Sequence, residues 1–175
     1  AGGVGLIQCQ WLDHLGVTVI GTVGSAEKAA LAKARGCHHT INYRSDDWVA
    51  QVKELTSGEG VPVVYDSVCN DTFQGSLECL KRLGMMVNFG QASGPFNEFH
   101  TGMLAPKSLF LTRPTLFAYN ATRAELEASA TALFDVVASG GVKIEINQTY
   151  PLAEAAQAHR DLEARKTTGS TILVP

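Results

Sequence analysis

The residues with the clearest chemical potential open the chain: Gly2-Gly3-Val4-Gly5, directly ahead of a helical pattern. Glycines at a strand-to-helix turn let the backbone approach a pyrophosphate, and the free N–H groups of the helix then face its charge. Gly2 and Gly5 have the spacing of the second and third glycines of G-x-G-x-x-G. The first glycine and the strand before it would precede residue 1. A glycine-rich tail is the competing reading. A second feature is Gly21-Thr22-Val23-Gly24-Ser25, where the first acid to follow is Glu27. A turn that selects an unphosphorylated ribose needs a carboxylate there, about 20 residues after the glycines. A small neutral turn followed by Lys28 instead suits a 2′-phosphate, which lysine neutralises as a point charge. An ordinary surface lysine is the alternative.

Other reactive residue types form no set. Cys9, Cys37, Cys69 and Cys79 show no CxxC and no close Cys/His pair, so they read as small apolar residues with free thiols. His38-His39 lack a third ligand nearby, and no metal site is expected. His159 shares a face with Leu152, Ala155, Ala156 and Leu162 and reads as a packing residue.

Positioning these residues requires a scaffold of alternating strands and helices. Val4, Ile7, Gln8, Trp11, Leu12 and Leu15 repeat with helical spacing, and Gly16 stands where that helix would stop. Apolar runs of strand length cover 17–23, 39–43, 61–68, 85–89, 109–112, 144–149 and 170–174. Between them, Ser25 caps a helix to about Arg35, closed by Gly36, and a helix over 46–56 ends at Ser57-Gly58. Asp71-Thr72-Phe73-Gln74 reads as a capping box for a helix carrying Leu77 and Leu80 and stopping at Gly84. Thr122-x-x-Glu125 is a second box. Its helix places Leu126, Ala130, Leu133, Phe134 and Val137 on one stripe before Gly140-Gly141, and a last helix covers 152–165. Strands that are apolar throughout, separated by helices, predict a doubly wound α/β fold with a mostly parallel sheet.

Composition excludes other classes. With 175 residues, 45% hydrophobic and 18% charged, the chain can bury a core and is not of disordered type. A net charge of −3 gives no basic footprint for nucleic acid or an anionic membrane. No apolar run approaches the roughly 18 residues of a membrane helix. Unpaired cysteines without a signal peptide suggest a cytoplasmic location.

In order along the chain, AGGVGLIQCQW, IGTVGSAEK, INYRSDD, VYDSV, VNFG and LTRP resemble the nucleotide-binding half of the zeta-crystallin-like quinone oxidoreductases. These are zinc-independent members of the medium-chain dehydrogenase/reductase superfamily. The resemblance runs to the closing LEARKTTGSTILVP and implies a Rossmann-type fold that lacks its first strand and its substrate domain. It implies an NADP(H)-binding domain over 1–140, truncated at its start, and a strand-helix-strand over 141–175 that packs toward the substrate domain.

The resemblance also implies roles. Gly3 and Val4 would face the pyrophosphate; Gly24, Ser25 and Lys28 would hold the 2′-phosphate, with Tyr43 beside the adenosine end. Ser67 and Phe89-Gly90-Gln91 would lie near the nicotinamide ribose, Thr112 and Arg113 by the nicotinamide, and Arg165 would return toward the cofactor. No catalytic residue is assigned. Cys69 departs from the family, which usually has glycine there; a tolerated small side chain or a reactive thiol are its two readings. The implied reaction is hydride transfer from NADPH to a quinone or similar conjugated carbonyl, with pairing of two copies through the edge strand Leu109–Thr112. An enoyl or alkenal reductase and a non-catalytic NADP(H)-binding module are the alternatives.

Overall fold

The computed structural model describes residues 2–44 and 47–175; Ala1, Ser45 and Asp46, which belong to the opening turn, to INYRSDD and to the expected start of a helix, lie outside the described residues. Helices and strands alternate: α1 Gly3–His14, β1 Ile20–Val23, α2 Ala26–Lys33, β2 His39–Asn42, α3 Trp48–Leu55, β3 Val61–Asp66, α4 Phe73–Cys79, β4 Leu80–Asn88 and β5 Phe110–Thr112. There follow α5 Leu116–Tyr119, α6 Arg123–Ala138, β6 Ile146–Pro151, α7 Ala155–Glu163 and β7 Ser170–Val174. Every pairing between these strands is parallel, in the orders β1-β2, β3-β4-β5 and β6-β7. The fold is α/β, as expected. Two compact units divide it, one of Ala1–Asp46 with Ala130–Pro175 and one of Asp47–Ser129.

In the first unit, Gly16 takes φ +74° and ends α1, and Ser25 caps α2 by accepting the Lys28 N–H. The core around β1 and β2 uses small residues: Val19, Val23, Ala32 and Cys37, with Cys9, Leu12 and Ala29 packed against them. The expected strand over 17–23 shortens to Ile20–Val23, because β1 finds its described partner only from His39 onward. Phe134, expected on the apolar stripe of α6, is 67% exposed; Val136 is the buried residue of that helix. His159 is likewise exposed, and Ala158 takes the inward position on α7.

The second unit has the larger side chains. Phe73, Leu77, Leu80, Met86, Leu109 and Cys69 form one cluster, and Phe96 stacks on Phe73 at 4.5 Å between ring centroids. Burying a side chain such as Leu77 stabilises by about 1.5–3 kcal/mol. The capping box expected at Asp71–Gln74 does not form: Thr72 is the N-cap, and its hydroxyl is held by Asp66 instead. The helix expected to reach Gly84 ends at Cys79, because Leu80, fully buried, pairs with Val61 at the start of β4. By contrast, the Thr122–Glu125 box is complete: the Thr122 N–H reaches Glu125 Oε2 at 2.8 Å, and Thr122 Oγ1 accepts the Glu125 N–H. Those bonds hold the Glu125 carboxyl below its ordinary range.

Candidate functional site

Two groups of residues stand at ends of parallel strands, one in each unit. In the first unit β1 ends at Val23, and the chain turns through Gly24 into the Ser25 cap of α2. That cap orients Lys28, whose Nζ donates to the Arg165 carbonyl at 2.8 Å. Arg165, in a left-handed conformation at φ +58°, sends Nη1 back to the Tyr43 hydroxyl at 3.0 Å. Gly24, Ser25, Lys28, Tyr43 and Arg165 therefore come together, although Lys28 and Arg165 are 137 positions apart in sequence.

Gly24 lets the side chains of Tyr43 and Arg44 approach the turn closely. A Cβ there would lie 3.2 Å from the Tyr43 hydroxyl and 3.4 Å from Nε of Arg44. Arg44 is thus a third cation at the turn, one that the sequence reading passed over. Its signal was its place in INYRSDD, directly after Tyr43. No acidic side chain is hydrogen-bonded to Lys28 or Arg165 among the described residues, so the group presents net positive charge. Such a cradle, with a capped helix start and cations on flexible stems, fits a phosphate monoester.

Gly3 is the first residue of α1, with Gly2 as its N-cap and Val4 exposed. Gly2 bridges Gly169 in parallel, and a Cβ on Gly3 would meet the Gly169 carbonyl at 3.2 Å. The glycines thus let the segment ahead of β7 lie against the start of α1, the same segment that begins at Arg165.

In the second unit, Ser67 follows the end of β3, and Phe89, Gly90 and Gln91 follow the end of β4. A Cβ on Gly90 would fall 2.5 Å from the Ser67 carbonyl oxygen and 2.8 Å from the Ser67 Cα. Backbone meets backbone here, so only glycine fits. Thr112, the last residue of β5, pairs with Val87, and Arg113 follows it with its Nη1 near the Pro114 carbonyl. All six residues thus gather at the carboxyl ends of β3, β4 and β5, the place where open α/β sheets bind ligands. Beside them the buried Asn88 amide nitrogen has no hydrogen-bond partner among the described residues.

The cysteines are free, and Cys37, Cys69 and Cys79 are buried. Burial pushes the Cys79 thiol up to about 11. The Cys37 thiol donates to the His39 carbonyl at 3.1 Å, and its interaction with Cys9 pushes the Cys9 thiol up and the Cys37 thiol down. Cys69 packs within the Phe73–Met86 cluster at 4% exposure, which favours the small packed side chain over the reactive thiol. Among the described residues, no three His, Cys, Asp or Glu side chains form a group that could hold a metal.

The chain is similar to several known proteins. A quinone oxidoreductase of Pseudomonas aeruginosa is 52% identical over the whole chain, which spans 54% of that protein. A 2-haloacrylate reductase of a Burkholderia species is 46% identical, again over the whole chain and 53% of the relative. The crystal structure of Escherichia coli quinone oxidoreductase complexed with NADPH superposes with a TM-score of 0.96 at 49% identity, covering 100% of this chain and 55% of that one. The chain thus spans about half the length of the relatives it matches. The family profile described as zinc-binding dehydrogenase matches residues 3–135, and the chain belongs to that family.

Proposed function

We propose that this chain is the NADP(H)-binding part of an oxidoreductase that transfers hydride from NADPH to a quinone or similar conjugated carbonyl. The observation that carries the reading is the convergence of Lys28, Tyr43 and Arg165, with Arg44, around the Gly24 turn. Three cations, with no carboxylate hydrogen-bonded to Lys28 or Arg165 among the described residues, favour a 2′-phosphate over a bare ribose. The E. coli relative complexed with NADPH supports the same cofactor. Gly3 and Val4 at the start of α1 would face the pyrophosphate with backbone N–H groups. Ser67, Phe89, Gly90, Gln91, Thr112 and Arg113 would line the nicotinamide end. Bound there, the cofactor supplies the hydride; the chain supplies orientation and charge.

No residue here is assigned as a proton donor, so substrate contacts and any acid are placed outside this chain. We read residues 1–140 as the cofactor domain and 141–175 as the strand-helix-strand packing toward the substrate part. We read the chemistry as independent of zinc, on the spacing of the cysteines and histidines in the sequence. Four unpaired cysteines support a reducing, cytoplasmic setting. No described helix is long and apolar enough to cross a membrane. A homodimer through Leu109–Thr112 is supported by the open edge of β5 and by Phe110, Leu116, Phe117 and Tyr119, exposed from 55% to 92%.

A second reading, reduction of a conjugated carbon–carbon double bond, is favoured by the 2-haloacrylate reductase relative. A non-catalytic NADP(H)-binding module is the third. Mixing the purified chain with NADPH and a benzoquinone tests the division of labour. NADPH should be bound but not consumed at an appreciable rate. Sustained quinone reduction by these 175 residues alone would refute it.

A further inference from the structure

Behind the Ser67–Gly90 contact lies a side chain that the cofactor reading leaves without a role. Asp66, the last residue of β3, is 5% exposed. Its Oδ1 accepts the N–H groups of Val68 at 2.8 Å and Cys69 at 3.0 Å. Its Oδ2 accepts the hydroxyls of Thr72 and of the buried Ser76, each at 2.8 Å. Four neutral donors thus surround the carboxylate, and no cation pairs with it among the described residues.

The turn it gathers is strained and tied down. Cys69 sits at φ +73°, a left-handed conformation that strains a non-glycine residue. Such strain persists only where the surroundings over-determine it. The same turn is bonded to the segment after β4: the Ala92 N–H donates to the Ser67 carbonyl at 3.1 Å, and the Ser93 N–H and hydroxyl to the Val68 carbonyl at 2.9 and 2.8 Å. Removing the carboxylate would leave four donors without their acceptor, two of them backbone N–H groups of the turn itself, so the turn depends on it for its shape. What the carboxylate delivers is a fixed place for Ser67 against Gly90.

We propose that Asp66 is a positioning residue: it holds the 67–69 turn so that the Ser67–Gly90 backbone edge meets the nicotinamide riboside of NADPH already shaped. The inference rests on the NADPH reading. It predicts that loss of the carboxylate harms one end of the ligand and not the other.

The test compares wild type, Asp66→Asn and Leu77→Ala in the 175-residue chain. Leu77→Ala weakens the same core but removes none of the hydrogen bonds that hold the turn. Calorimetry gives dissociation constants for NADPH and for adenosine 2′,5′-bisphosphate, which has the phosphorylated adenosine end but no nicotinamide. Asp66→Asn should weaken NADPH by about ten-fold and leave the bisphosphate within about two-fold; Leu77→Ala should leave both within about two-fold. If Asp66→Asn does not fold, Thr72→Val, which removes one of the four donors, should weaken NADPH alone by about three-fold. Equal losses for both ligands, or no loss for NADPH, would overturn the proposal. So would wild type binding NADPH no more tightly than the bisphosphate, although the cofactor reading would then survive. A wild-type chain that binds neither ligand overturns both.

Discussion

Around Gly24 the chain gathers long charged side chains at its surface, whereas behind Gly90 it buries one carboxylate and fixes backbone. The first group is made of Lys28, Arg44, Arg165 and the Tyr43 hydroxyl, and its members move on flexible stems. The second is made of the Ser67 and Gly90 main chain, held by Asp66 and its four donors. An anion is recognised well by mobile charge that can close on it, and such charge costs the fold little. A flat ring and its ribose need a surface of fixed shape, and fixing shape ties the site to the core. Substitutions in the first group should therefore change affinity and salt dependence, and those in the second should change stability.

The largest effect is expected from Gly90→Ala. Its Cβ would meet the Ser67 backbone, which cannot rotate away, so the two strand ends must separate. Overpacking of this kind costs about 1–3 kcal/mol, read by urea denaturation. Lys28→Glu should come next. It should lower NADPH affinity by about ten-fold or more, leave NADH binding nearly unchanged, and shift the melt little. A loss shared equally by both cofactors would break the contrast between the two regions.

Gly24→Ala puts the same methyl group at the other site. Here the atoms met are the ends of Tyr43 and Arg44, at 3.2 and 3.4 Å, which can swing aside. Stability should stay within about 1 kcal/mol while NADPH affinity falls several-fold, because Tyr43 and Arg44 would be displaced from the positions in which the proposal has them meet the phosphate. The smallest change is expected for Cys69→Gly. Relief of the left-handed backbone offsets the loss of a buried thiol, and denaturation should show a difference below about 1 kcal/mol. A clear destabilisation would mean that the Cys69 side chain matters to the core more than its backbone strain.

Local signals in the sequence located most of the scaffold. Gly16, the Ser25 cap and the Thr122–Glu125 box act within one turn of helix, so neighbours in sequence decide them. Misplaced boundaries arose where tertiary partners overrode local preference. Leu80 has helical spacing with Leu77 yet is taken by β3, and Thr72 gives its hydroxyl to Asp66 rather than to a capping box. Of the residues gathered at the first turn, Gly24, Ser25 and Lys28 could be singled out from their types and spacing, and Tyr43 and Arg165 through the resemblance. Arg44 could not, because its approach to Gly24 depends on where separate turns meet, and no spacing encodes that. The role proposed for Asp66 was hidden for the same reason, since an aspartate at a strand end is common and only its buried donors distinguish it.

The central claim is that this chain holds a 2′-phosphorylated dinucleotide through the Lys28 group. Calorimetric titration of the wild-type chain with NADPH and with NADH, each at low and at moderate salt, tests it most directly. The account predicts NADPH binding at least about ten-fold tighter than NADH at low salt, with the gap narrowing as salt rises. Equal affinities, or tighter binding of NADH, would contradict it.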